Sequence, residues 1–303
     1  MDFFDTLAEM MVILFAIALG YGANHMGILG GETDQKLSKL LLNFTMPSMI
    51  LAAVITGDTL PGLSEILSIL KVAVVFYTLE AVFMLAAPRF LGGTPGQKGV
   101  WRYTMMFPNV GFIGYPVAVA LFGPEALFYA VVLALPFNLL SFTMGPLMLA
   151  GAKRFKVRQM FSPCVVASLV ALFLALTGLR PPQLLGEMLD FVGDITVPLS
   201  LLVVGSLLAG IPARQVFANP RLWALSALRL LVLPVSLWLI LRGMDVGYMV
   251  MGVAVTQMAM PIAVNGSMLS MEYGGDTECI AQATFLTTLV SIVTIPIIAA
   301  ILL

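Results

Sequence analysis

Phe107-Pro108-Asn109-Val110-Gly111-Phe112-Ile113-Gly114-Tyr115-Pro116 sets two prolines, two glycines and an amide inside an otherwise apolar run. Proline removes a backbone donor and crowds the carbonyl four residues back, and glycine is a poor helix former, so a straight helix cannot pass through. A second interruption, Gln257-Met258-Ala259-Met260-Pro261 followed by Asn265-Gly266, lies inside another apolar run. In lipid each unpaired backbone group costs on the order of several kcal/mol, so such breaks belong inside protein or on a cavity wall. Broken helices offer N–H groups that suit an anion at one end and carbonyls that suit a cation at the other. Asn109 is placed to cap the next half-helix or to donate its amide to a carboxylate. Pro108, Asn109, Val110, Gly111, Gln257, Pro261 and Asn265 form the candidate solute-binding set, with Pro116 a further break.

Another matched pair is Asn43-Phe44-Thr45-Met46-Pro47-Ser48 and Asp194-Ile195-Thr196-Val197-Pro198, each with an Asx residue four before a proline. Pro47 and Pro198 free the carbonyls of Asn43 and Asp194, which neighbouring Thr and Asx side chains can satisfy. Local repair of a kink and the lining of a solute path are both open for this pair, and Asn43 joins the solute-binding candidates. Ionisable groups at membrane depth are costly and mark function by default. Glu80, Asp190, Asp194 and Lys71 are the coupling or proton-linked candidates. Lys71 and Glu80 stand nine residues apart, about 900° of helical rotation, so they occupy opposite faces and each needs a partner elsewhere. Asp190 and Asp194 are one turn apart. A sodium ion would find oxygen ligands near Asn43, Thr45, Ser48 and Gln257. No other cofactor, no metal site and no disulfide is expected, since Cys164 and Cys279 lack metal-like spacing and His25 is the single histidine.

These residues are carried by ten apolar stretches, read as 6–24, 35–56, 65–87, 98–121, 125–149, 162–178, 184–209, 220–241, 247–270 and 278–302. Each is long enough to span a bilayer as a helix. A mean hydropathy of +1.03 with 10% charged residues excludes an ordinary soluble domain. Acidic Asp2, Asp5 and Glu9 ahead of the first run argue against a signal peptide. The chain also resembles itself at half its length. Gly27 and Ile28 return as Gly178 and Leu179, and Thr45 and Pro47 as Thr196 and Pro198, at an offset of 151; Ser141, Pro146 and Ala150 return as Ser291, Pro296 and Ala300 at 150. Five spans per copy place residues 152–303 upside down relative to residues 1–151, the plan of many secondary transporters. With the N-terminus outside, eleven of the fifteen basic residues fall on inward loops, two on outward loops and two (Lys71 and Arg229) within spans. Both termini are therefore expected on the extracytoplasmic side of the cell membrane.

The ordered set of breaks resembles the auxin efflux carrier family, which includes plant auxin carriers and bacterial carboxylate carriers. The resemblance rests on Pro108-Asn109 with Gly114 and Pro116, and on Gln257, Ala259 and Pro261. Gly123-Pro124-Glu125, Glu272-Tyr273 and Asn43 to Pro47 extend it across the chain. It implies an all-α polytopic fold of ten transmembrane helices, in two inverted five-helix repeats with broken, crossing spans 4 and 9. That is the architecture of sodium/proton antiporters and bile-acid symporters. It further implies a homodimer held by a scaffold of spans 1, 2, 6 and 7, and a transport domain of spans 3–5 and 8–10 that slides as an elevator. By motif match Asn109 holds the substrate carboxylate. The short link between the halves is like that of the bacterial members, so a small carboxylate such as malate or malonate is a better expectation than an auxin-like acid.

The expected function is secondary transport of a small organic anion, with lipid as the surroundings and no nucleic-acid partner. Sodium-coupled symport of the bile-acid type, proton coupling and an anion channel stay open as alternatives. An enzyme is not expected, because the chain carries no convergent catalytic set such as a zinc-binding HExxH helix.

Overall fold

The computed structural model describes residues 3–57, 62–141, 143–151, 162–211 and 216–302. The basic junction Lys153, Arg154, Lys156 and Arg158, the proposed boundary at 151/152, and Arg214 lie wholly or partly outside them. All the regular elements among the described residues are helical. In chain order they are α1 (Phe3–His25), α2 (Gly31–Leu40), α3 (Met46–Ile55), α4 (Leu63–Leu91), α5 (Pro95–Met106) and α6 (Tyr115–Phe122). Then follow α7 (Ala126–Ser141), α8 (Met144–Ala150), α9 (Pro163–Thr177), α10 (Gln183–Gly193) and α11 (Thr196–Ala209). The last five are α12 (Pro220–Ala227), α13 (Leu233–Leu241), α14 (Tyr248–Met258), α15 (Asn265–Tyr273) and α16 (Thr277–Leu302).

Among the described residues, five continuous helical stretches are long and apolar enough to cross a bilayer: Gly31–Ile55, Leu63–Leu91, Gln183–Ala209, Pro220–Leu241 and Thr277–Leu302. Five shorter apolar helices, Met11–His25, Val110–Phe122, Ala126–Phe137, Pro163–Thr177 and Tyr248–Met258, fall on the other apolar stretches of the sequence. Bulky apolar side chains cover the outside. Phe90 and Phe191 are 83% and 80% exposed, which suits hydrocarbon and would be costly in water.

Prolines are accommodated in two ways. Ahead of Pro47 and Pro234 the chain widens into single π-turns, Leu41–Thr45 and Leu228–Val232, in which the N–H groups of Met46 and Leu233 donate to carbonyls five residues back. At Pro136, inside α7, the Tyr77 hydroxyl enters the ladder instead. It donates to the Leu133 carbonyl (2.8 Å) and accepts from the Phe137 N–H (3.2 Å), which ties α4 to α7.

Helices α1, α2, α3, α9, α10 and α11 pack chiefly on one another, while α4, α5, α7, α8 and α12 to α16 form a second group. Within the first group α1 lies against α11 along its length. The contact depends on two glycines: a Cβ at Gly20 would overlap the Leu202 carbonyl, and one at Gly205 would overlap that of Ile17. Close backbone approach through small residues is a usual way for helices to associate in lipid. At one end of this pair buried Asp34 accepts from the Gly30 N–H (3.0 Å) and the Ser206 hydroxyl (2.7 Å), and Asn24 donates to Ser206 (3.0 Å).

Candidate functional site

Between α5 and α6 the chain runs through Phe107, Pro108 and Asn109, then a π-turn over Val110–Gly114. Between α14 and α15 it runs through residues 259–264 without helical repeat. The two interruptions face each other as a short antiparallel bridge pairing Pro108 with Ile262. The Asn109 N–H donates to the Pro261 carbonyl (2.7 Å), and the Ala263 N–H to the Phe107 carbonyl (3.0 Å). A third helix assists, since Thr287 of α16 accepts from the Ile262 N–H (3.3 Å). Each break thus pairs main-chain groups of the other that lie outside any helical ladder, which is how non-helical backbone survives at membrane depth.

Asn109 caps the helix that follows: its Oδ1 accepts from the Phe112 N–H at 3.2 Å, and its carbonyl accepts from the Gly114 N–H at 2.9 Å. Its Nδ2 is buried with no hydrogen-bond partner, and the same holds for both amide atoms of fully buried Gln257. Gln257 lies beside Gly114, where a Cβ would overlap Gln257 Oε1, so a glycine is needed for this approach. Buried polar atoms without partners are rare and call for an explanation. Here three of them sit where two broken helices meet. The opposite wall belongs to the first helix group: a Cβ at Gly111 would come within 3.5 Å of the Met46 side chain, and the Ser200 hydroxyl donates to the Phe112 carbonyl at 3.0 Å.

The charge at the crossover comes from a residue that the sequence reading left without a role. Arg229, fully buried in the π-turn between α12 and α13, donates from Nε to the Met260 carbonyl (3.1 Å) and from Nη2 to that of Met258 (3.1 Å). From Nη1 it donates to the Met105 carbonyl and to Glu80 Oε1, both at 3.0 Å. Glu80 is equally buried and forms with Arg229 an ion pair between α4 and that turn. The sequence showed only that Arg229 lies within a span. Its four acceptors are spread over residues 80 to 260, and no local pattern announces them.

The remaining candidates are placed elsewhere. Asn43 is exposed and donates to the Lys39 carbonyl of its own helix (2.7 Å), so it repairs the kink locally and does not join the crossover. That bond uses the amide nitrogen and not Oδ1; of the other proposed sodium ligands, Thr45 is buried with an unpartnered hydroxyl, and Ser48 is partly buried. No group of three or more His, Cys, Asp or Glu residues among the described residues is arranged to hold a metal. Asn265 is half-buried, its Oδ1 accepting from the Tyr103 hydroxyl at 2.8 Å. Lys71 is exposed on α4, on the face away from Glu80. Asp190 and Asp194 are exposed and line a cavity of about 780 Å³, together with Glu65, Glu125, Tyr129 and Thr56. Pro116 lies at the start of α6, and Pro198 near the start of α11. Both cysteines are buried free thiols.

Comparison with known proteins points to membrane transport. The family described as "Membrane transport protein" matches residues 5–153 and 143–299. An uncharacterized transporter of Methanothermobacter thermautotrophicus is 28% identical over 305 residues, 98% of each chain. One from Methanocaldococcus jannaschii is 26% identical, over 94% of this chain and 95% of its own. A protein of Rhizobium meliloti named "Putative malonate transporter" is 25% identical, over 67% of this chain and 66% of its own. The matches extend through both interrupted segments and the helices around them, and this chain belongs to the membrane transport protein family, that of the auxin efflux carriers, as a transporter and not an enzyme.

Proposed function

We propose that this protein is a secondary carrier of a small organic anion, a carboxylate of the malonate or malate class, and that the crossover is where the anion binds. The observation that carries this reading is the set of unpartnered buried amide atoms on Asn109 and Gln257, placed where two broken helices are bonded to each other. The Nδ2 of Asn109 and the Nε2 of Gln257 supply donors, and the start of the helix after Asn109 supplies partial positive charge. A malonate-sized solute accords with the name of the Rhizobium meliloti relative.

Alternating access would proceed by movement of one helix group past the other, as an elevator, since the crossover is built mostly from the second group and closed by Met46 and Ser200 of the first. In this reading residues 1–151 and 152–303 are inverted repeats, both termini face outward, and the first group supplies the contacts of a homodimer. If protons are coupled, Asp190 and Asp194 are the groups open to exchange in this conformation, because Glu80 is sealed against Arg229.

The test is uptake of radiolabelled malonate, malate and indole-3-acetate by proteoliposomes, with and without a sodium gradient and a pH gradient. Saturable uptake of at least one of the acids is expected, and it should be lost in Asn109→Ala. Uptake by Asn109→Ala equal to that of the native protein would place the site elsewhere. Linear, non-saturating flux would favour a channel, and dependence on the sodium gradient would favour symport.

A further inference from the structure

The crossover points two helix C-termini at one buried place. α5 ends at Met106 and α14 at Met258, and the last carbonyls of a helix have no partner in its own ladder. Each such end carries the equivalent of about half a negative charge. Arg229 meets both: it holds the Met105 carbonyl at the end of α5, and the Met258 and Met260 carbonyls at and just past the end of α14. The guanidinium is a rigid planar fork, so bonds from its three nitrogens fix the direction of each helix end as well as its charge. Glu80 holds one arm of that fork at 3.0 Å. Four of the five N–H donors are directed to these four oxygens, so the cation serves the backbone and leaves the neutral amides of Asn109 and Gln257 to meet a solute.

The ion pair by itself is weak evidence for stability, whereas the three main-chain carbonyls that Arg229 satisfies do need a donor. Replacing a buried ion pair by apolar side chains of similar volume is often neutral or stabilising, and removing one partner alone is the damaging change. We propose that Arg229 is a positioning residue: a built-in cation that ties together the C-terminal ends of both interrupted helices and so fixes how Asn109 and Gln257 face each other, with Glu80 orienting it. The consequence for transport rests on the reading of the crossover as the anion site; the tie itself does not.

The experiment uses full-length protein in lipid nanodiscs, with nitroxide labels at the exposed positions Arg102 on α5 and Tyr248 on α14. Their separation is read by pulsed dipolar spectroscopy, and binding of radiolabelled malonate is measured alongside. Glu80→Leu/Arg229→Met removes both charges but leaves three main-chain carbonyls without their donor, so it should stay folded, melt below the unsubstituted protein and show a broadened distance distribution. Arg229→Gly should show the same broadening, and added methylguanidinium should narrow it. Malonate affinity should fall roughly tenfold or more in both variants, the loss of a charge-assisted contact network. Methylguanidinium should restore it in Arg229→Gly but not in Asn109→Ala. A distance distribution in the double variant identical to that of the native protein overturns the proposal, and this readout stands if Arg229→Gly does not fold. Broadening with unchanged malonate affinity, or no response to methylguanidinium, overturns it as well. If the unsubstituted protein binds no malonate, the substrate reading fails, while the distance measurement still decides the role of Arg229.

Discussion

Asn43 to Pro47 and Phe107 to Asn109 are both asparagine-and-proline interruptions of an apolar run, yet they end in opposite states. At the first, the chain widens by one π-turn, Met46 donates five residues back, and the Asn43 amide bonds to the Lys39 carbonyl. The helix repairs itself, and the asparagine faces outward. At the second, the partners come from residues 261 to 263, from α16 and from Arg229, and the asparagine is buried with one amide nitrogen unpartnered. Where the interruption heals locally the asparagine amide is used up within its own helix, and the buried group left without a partner is the Thr45 hydroxyl. An interruption that can be healed only by another segment holds that segment in place and keeps polar groups in reserve.

The sharpest way to break this contrast is Asn109→Ala. It removes a helix cap and an amide donor, together about 2 to 4 kcal/mol, so malonate binding should weaken roughly 30-fold or more. Isothermal titration of purified protein reads this, and near-native affinity would erase the distinction between the two sites. Next comes Gly114→Ala, whose methyl group would drive Gln257 from its place while leaving most of the backbone undisturbed. Binding should fall about tenfold, the worth of one good hydrogen bond to an anion, with little change in melting temperature. Retained affinity would remove Gln257 from the site. Pro108→Ala and Pro261→Ala restore a backbone donor and permit helix, so they should lower the uptake rate while membrane expression stays near native. A parallel fall in expression would make these prolines a folding requirement only. Asn43→Ala is the smallest case: an exposed repair of this kind is worth less than about 0.5 kcal/mol, so affinity should change by less than about threefold.

The contrast also shows how far residue order can be read. Prolines and glycines announce where a helix must stop, because their effect is local, and both interruptions of the crossover were legible in that way. Ten apolar stretches were legible for the same reason, each being a continuous run. What residue types could not separate was Asn43 from Asn109. Each stands near a proline, and only the distant segment across from it decides whether its amide is consumed. Arg229 was hidden more deeply, since its meaning resides in carbonyl groups, which every residue has. The pairing of Glu80 was half legible: its wrong-face relation to Lys71 demanded an external partner but did not name one. Asp190 and Asp194 stand one turn apart in the sequence, and both line the open cavity.

Gly20 and Gly205 bring α1 and α11 so close that a Cβ in either place would overlap the partner's main chain, which locks the two helices in register. On the proposed elevator reading, those two helices would constitute a fixed ruler while the second group moves. Probes fastened to them would keep a constant separation through a transport cycle, giving the benchmark against which displacement of every other helix can be gauged.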